Sequence, residues 1–265
     1  MAASRRDLLR LAGCAALTAL PGLPRAADAI VTRRLGLIFP PAGRGVPEEG
    51  LAMYGDRVEF LVETLGLETM TPDGYDAVID RIGPCAEKLA ARGAEAIVLM
   101  GTSLSFYRGA AFNQRLTELL VDASGLDGVT MSTAIIRGLQ AVGAFRVAAA
   151  TAYNGDVNGR LRSFLQEHAL DVLEVRGLGI EAVEDIFSVT RPQLIEFGAG
   201  VVADTPGADS LLVSCGGLRT LEILAPLEAR TGVPAVSSTP HALYAGARLL
   251  SMDAHVDGYG TLLSG

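Results

Sequence analysis

Leu211-Leu212-Val213-Ser214-Cys215-Gly216-Gly217 decides the fold. An apolar run ends abruptly in a thiol and two glycines. Such a run reads as a buried strand, and the glycines leave backbone N–H groups open to a ligand at its end. In α/β proteins, ligands bind beyond the carboxyl ends of the strands. Cys215 is therefore the candidate for chemistry. The competing reading is a packed structural cysteine, because free cysteine is among the most buried residue types. This stretch alone leaves both open.

Three other apolar strands end in the same way. Arg34–Phe39 runs into Pro40-Pro41, Ala96–Met100 into Gly101-Thr102-Ser103, and Arg146–Ala150 into Thr151-Ala152-Tyr153. Helical patterns lie between and after them: Tyr75–Arg92, Ser105–Leu120, Asp156–His168, Pro192–Asp204, Leu221–Thr231 and Pro240–Ser251. This alternation predicts an α/β fold with parallel sheet. The same 62 positions separate Pro40 from Thr102 and Tyr153 from Cys215. The equal spacings predict two pseudo-symmetric βαβ halves, 30–142 and 143–265, with terminal segments crossing between them. One cleft is expected where the four strand ends meet. The Gly- and Pro-rich loop Ala42–Gly50 follows the first strand and is expected to line it.

The formal net charge of −8 argues against a nucleic-acid binder, which would present a basic face. Residues 1–29 carry Ser4-Arg5-Arg6-Asp7-Leu8-Leu9-Arg10, an apolar stretch from Leu11 to Leu23, and Ala27-Asp28-Ala29 before Ile30. This reads as a twin-arginine export signal with a cleavage site. A soluble, acidic periplasmic protein with no stable membrane association is then expected. Leu11-Ala12-Gly13-Cys14 looks like a lipobox, but it begins the apolar stretch where a lipobox would end it. Cys85 lies in a helical pattern and reads as a small core residue.

Met100-Gly101-Thr102-Ser103-Leu104-Ser105-Phe106-Tyr107-Arg108-Gly109, Thr151-Ala152-Tyr153 and Ser214-Cys215-Gly216-Gly217-Leu218 together resemble the arylmalonate decarboxylases, of the aspartate/glutamate racemase superfamily. The resemblance runs from about Leu35 to Tyr259. It implies a two-domain, pseudo-symmetric fold and chemistry without metal or organic cofactor. A disubstituted malonate, a small-molecule dicarboxylate, loses one carboxylate as carbon dioxide. The other becomes an enediolate, which a cysteine protonates on one face.

By the same resemblance, Cys215 is the proton donor. Thr102, Ser103, Tyr153 and the backbone at Gly216 form an oxyanion hole. Leu67, Met70, Tyr75, Val183 and Ile186 form an apolar pocket for the departing carboxylate, and Pro40, Pro41, Gly101 and Gly217 line the cleft. Met70 and Ile186 stand where the family pattern has a valine and a methionine, which bears on pocket size and substrate preference. None of the four strand-end motifs contains Lys or Arg. That suits a site that must gain more on the transition state than on the ground-state dianion.

Two other functions fit parts of the sequence. A racemase or cis–trans isomerase of the superfamily would need a second thiol at or beside Gly101. A periplasmic carboxylate-binding protein would suit export and two lobes, but it has no need of a cysteine. His241 follows Pro240 near a strand end, where it could approach the cleft, cap a helix or lie at the surface.

Overall fold

The computed structural model describes residues 32–180 and 182–264. The export signal read in residues 1–29 lies outside them, and so does the side chain of Val183. Among the described residues, eight strands form two four-stranded sheets. The first sheet holds β1 (Arg33–Pro41), β2 (Val58–Leu67), β3 (Ala96–Leu99) and β4 (Asp127–Thr130), in the order β2-β1-β3-β4. The second holds β5 (Arg146–Thr151), β6 (Asp171–Gly177), β7 (Ser210–Ser214) and β8 (Ala235–Ser237), in the order β6-β5-β7-β8. Every pairing is parallel.

The two orders are the same: β5 takes the place of β1, and β7 the place of β3. The residues after β1 and β3 therefore occupy positions equivalent to those after β5 and β7. The equal spacing of 62 positions is not itself a register match: Leu35 pairs with Ala96 and Val147 with Ser210, and Pro40 and Pro41 are the last residues of β1 rather than the first beyond it.

The strand sequences follow from burial on both faces. Along β1, Leu35, Leu37 and Phe39 enter a core that runs through both sheets. Ile38 faces the opposite way, into a second core closed by the helix Ile82–Ala91. On β5, Ala148, Ala149 and Ala150 are buried. These short side chains let the helix Arg191–Ala203 come close, and a Cβ on its Gly198 would lie 3.1 Å from Leu227 and 3.3 Å from Leu211.

Three predicted helices are broken; the shortest, Leu221–Thr231, is a 3₁₀ turn Leu221–Ile223 followed by the helix Leu224–Thr231. Tyr75–Arg92 is a short helix Pro72–Asp76, a 3₁₀ turn Ile79–Arg81, and the helix Ile82–Ala91. Pro84 is the cause. It has no N–H to donate back to Asp80, and its ring would meet that carbonyl, so it is accommodated only in a first turn. Ser105–Leu120 is divided into Thr102–Phe106 and Ala110–Ser124. Between them Gly109 has φ 83°, and a Cβ there would lie 2.9 Å from the Glu167 carboxylate. The loop Ala42–Gly50 is shorter than its composition suggests, because a helix Glu48–Tyr54 begins inside it. The two leading glutamates suit that helix's N-terminus.

The helix Ser238–Leu249 follows β8 of the second sheet, yet it packs on the helix Met131–Ala141 and across β3 and β4 of the first. Its Gly246 permits this. A Cβ there would stand 2.6 Å from Leu35 Cδ2 and 2.8 Å from Val98 Cγ2.

Candidate active site

Ser214, the last residue of β7, pairs with Thr151 of β5, and Cys215 is the first residue beyond the sheet. The Cys215 N–H donates to Ser238 Oγ at 3.1 Å, and Thr239 Oγ1 donates to the Gly216 carbonyl at 3.2 Å. The first turn of the helix Ser238–Leu249 thus holds the thiol loop. The two glycines are required by close packing. A Cβ on Gly216 would lie 3.1 Å from Met131 Sδ, and one on Gly217 only 2.8 Å from Ile186 Cγ2.

Cys215 is 4% exposed. Burial pushes its pKa above the ordinary thiol value. The Gly217 and Leu218 N–H groups, the Tyr153 hydroxyl and Arg44 pull it back without reversing the direction. The group is therefore a neutral thiol at neutral pH, able to give a proton rather than attack as thiolate.

Hydroxyls from both sheets surround it. The short helix after β3 begins at Thr102, with Gly101 at its N-cap. Thr102 and Ser103 therefore lie in its first turn, ahead of the Ser105 at which the helical pattern was expected to begin. Ser105 Oγ donates to the Gly101 carbonyl at 2.7 Å, and Ser105 and Ser132 hydroxyls meet at 2.7 Å, which fixes this turn from beneath. Thr102 Oγ1 donates to Met131 Sδ at 2.7 Å. Ser103 Oγ accepts the Tyr75 hydroxyl at 2.8 Å.

From the second sheet, the Tyr153 hydroxyl lies 3.4 Å from Ser214 Oγ and reaches Thr102 and Cys215. Its turn is set by Thr151 Oγ1, which accepts the Tyr153 N–H at 3.2 Å and donates to Asn158 Oδ1 at 2.6 Å. Gly177 at the end of β6 leaves room for that turn, since a Cβ there would sit 2.0 Å from the Tyr153 carbonyl oxygen.

One cavity of about 60 Å³ gathers these groups. Pro40, Pro41, Leu67, Met70, Tyr75, Gly101, Thr102 and Ser103 line it from the first half of the chain. Tyr153, Ile186, Cys215, Gly216 and Gly217 line it from the second. Of the expected residues, only Val183 is not brought to it by a described side chain. A volume of this size holds a few waters, or one small group. A neighbouring chamber of about 320 Å³ shares Phe39, Arg44, Phe187, Gly216 and Gly217 with it.

Five residues line the cleft beyond those expected from the strand ends and the resemblance: Phe39, Arg44, Met100, Leu104 and Phe187. Phe39 is the last apolar side chain of β1. Phe187 follows the short helix Val183–Ile186. Arg44 lies in the loop whose Gly/Pro content marked it as site-lining, so a signal existed for the segment but none for the residue. It places a guanidinium at a cleft whose strand-end motifs contain no cation. Tyr75 was expected as apolar wall, but its hydroxyl is committed to Ser103.

His241 is buried outside this cavity. Its Nδ1 accepts the N–H of Ser237, the N-cap of its helix, at 3.0 Å. Burial lowers its pKa to about 4. Cys85 is buried beside Thr64. Among the described residues, no three His, Cys, Asp or Glu side chains converge as a metal-binding group.

Two all-parallel sheets of identical strand order, closed around one buried thiol, define the racemase-like class of α/β fold. Solved structures of maleate isomerases share that fold. One from Pseudomonas putida S16 is 21% identical, with a TM-score of 0.81 over 88% of this chain and 99% of that one. More specifically, a family model described as Arylmalonate decarboxylase matches residues 35–263, and the chain belongs to that family. It is 46% identical to arylmalonate decarboxylase of Bordetella bronchiseptica over 232 residues, 87% of this chain and 96% of that protein. The structure of a doubly substituted arylmalonate decarboxylase in its liganded form superposes with a TM-score of 0.85 at 44% identity, over 88% of this chain and 99% of that one.

Proposed function

We propose that this protein decarboxylates aryl- or alkenyl-substituted malonates to chiral monocarboxylic acids, with Cys215 as the proton donor. The neutral thiol of Cys215, facing the hydroxyls of Thr102, Ser103 and Tyr153 in one small cavity, carries the reading. The bond to one carboxylate breaks, its electron pair passes into the remaining carboxylate, and carbon dioxide leaves. The resulting enediolate carries charge on two oxygens. Fixed hydroxyl and N–H donors stabilise that charge most where it is greatest, and one such donor is worth about 3 kcal/mol. Cys215 then gives its proton to the α-carbon from one side, and its thiolate is reprotonated from water.

The departing carboxylate sits in this scheme among Leu67, Met70, Tyr75 and Ile186, where loss of hydration favours the neutral product. Gly101 supports decarboxylation over racemisation, which would need a second proton carrier on the opposite face. A Cβ at Gly101 would already lie 2.5 Å from Pro40 Cγ. Export to the periplasm belongs to the same proposal and rests on Ser4–Arg10 and Ala27-Asp28-Ala29.

The test is carbon dioxide release from phenylmalonate and 2-methyl-2-phenylmalonate, with wild type beside Cys215→Ala and EDTA present. Turnover that survives EDTA and collapses in the variant is expected. No release from either acid by wild type would overturn the reading.

A further inference from the structure

Arg44 is unlike every other residue of the cleft. Its guanidinium carbon lies 4.5 Å from the centre of the Phe187 ring and 5.7 Å from that of Phe39, at the wall shared by the two cavities. Among the described residues it makes no ion pair and no hydrogen bond. A half-buried guanidinium with five donors and no acceptor is an expensive arrangement unless an anion completes it. Stacking on aromatic faces is the way such a group is held rigid with its donors unused.

The chamber's other charges are already engaged. Glu48 pairs with Arg219 at 3.7 Å. Glu49 accepts the Thr220 N–H at 2.6 Å and the Leu221 N–H at 2.8 Å, so it attracts Arg44 across the chamber as a charge without forming an ion pair or hydrogen bond with it. Thr102, Ser103 and Tyr153 line only the smaller cavity, as do Leu67, Met70 and Tyr75. The malonate's own two carboxylates therefore have places away from the larger chamber. The space next to the smaller cavity, beyond the wall that Arg44 shares, is the chamber of about 320 Å³, room for a substituent that about 60 Å³ would not hold.

We propose that Arg44 is a specificity-determining residue that binds an anionic group on the substrate's larger arm, so that the preferred substrates are arylmalonates bearing a further acidic group on the ring. This rests on the decarboxylase reading above. A guanidinium–carboxylate contact at this depth is worth at least about tenfold in kcat/KM.

The experiment compares kcat/KM for para-carboxyphenylmalonate and phenylmalonate in wild type, Arg44→Lys, Arg44→Ala and Arg44→Glu. The expected ratio favours the carboxy substrate by about tenfold or more in wild type. It shrinks in Arg44→Lys, is lost in Arg44→Ala and inverts in Arg44→Glu. If Arg44 merely props Phe39 against Phe187, both substrates suffer alike and the ratio stays fixed, which overturns the proposal. So does a wild-type ratio at or below one. If wild type turns over neither malonate, the decarboxylase reading fails on its own. Calorimetric binding of para-carboxyphenylacetate against phenylacetate then decides the role of Arg44. Tighter binding of the dianion that disappears in Arg44→Ala supports it, and equal binding overturns it.

Discussion

Tyr75 and Ser103, 28 positions apart, are joined by a hydrogen bond of 2.8 Å in which the tyrosine hydroxyl donates. Ser103 Oγ thereby has one of its two acceptor sites filled, which orients the hydroxyl, and its own proton is left for another oxygen. Burial pushes the Tyr75 pKa up to about 12, so Tyr75 remains a donor at every working pH. Tyr75→Phe keeps the wall of the pocket and removes this orientation. We expect kcat on phenylmalonate to fall by up to about tenfold, the worth of one neutral hydrogen bond, with KM little changed. Steady-state kinetics check it. A change confined to KM would reduce Tyr75 to a surface of the pocket.

The thiol of Cys215 must carry its proton to act. Burial raises its pKa, so the active form persists through neutral pH and is lost only above the ordinary thiol value of about 8.5. The same shift gives stability at pH values below the unfolded thiol's pKa, and that contribution disappears as pH rises through the folded one. A pH–rate profile flat to neutrality and falling in alkali is expected, with slow alkylation by iodoacetamide at neutral pH. An inflection below neutrality would mean that the thiolate is the working species.

His241 titrates in the opposite sense. Its folded pKa of about 4 lies below the ordinary value of about 6.5. Its neutral form therefore contributes stability above about pH 6.5, and this is lost as pH falls toward 4, up to roughly 3 kcal/mol. Urea midpoints measured at neutral and mildly acid pH in wild type and His241→Asn report it. The variant should lose less stability on acidification. Parallel losses in the two proteins would place the acid sensitivity elsewhere.

Gly246 is where a helix from one end of the chain comes to rest on the first sheet. Gly246→Ala inserts a methyl group 2.6 Å from Leu35 Cδ2 and 2.8 Å from Val98 Cγ2, both fully buried residues. Overpacking of this kind costs about 1–3 kcal/mol. Thermal or urea denaturation should show it as a lowered midpoint, and an unmoved midpoint would mean that the helix slides at no cost.

The parallel strands were legible because two buried faces leave little choice of residue: Ala96-Ile97-Val98-Leu99 and Leu211-Leu212-Val213 admit no other element of that length. The cleft was legible because Thr102, Tyr153 and Cys215 follow such strands directly. The breaks at Pro84 and Gly109 were harder. Each lies inside a helical pattern, and apolar periodicity does not register a missing N–H or a glycine turn packed on Glu167. Arg44 and the Tyr75–Ser103 bond escaped for another reason. A side chain's reach from a loop, and its partner in a distant element, are consequences of tertiary packing with no local pattern behind them.

The helix Ser238–Leu249 is sequential to one sheet and seated on the other, and its first turn also grips the Cys215 loop. The two halves are thus dovetailed rather than hinged. A fragment ending near residue 142 would expose the faces of β3 and β4 that this helix covers, and its complement would carry an apolar helix with no seat.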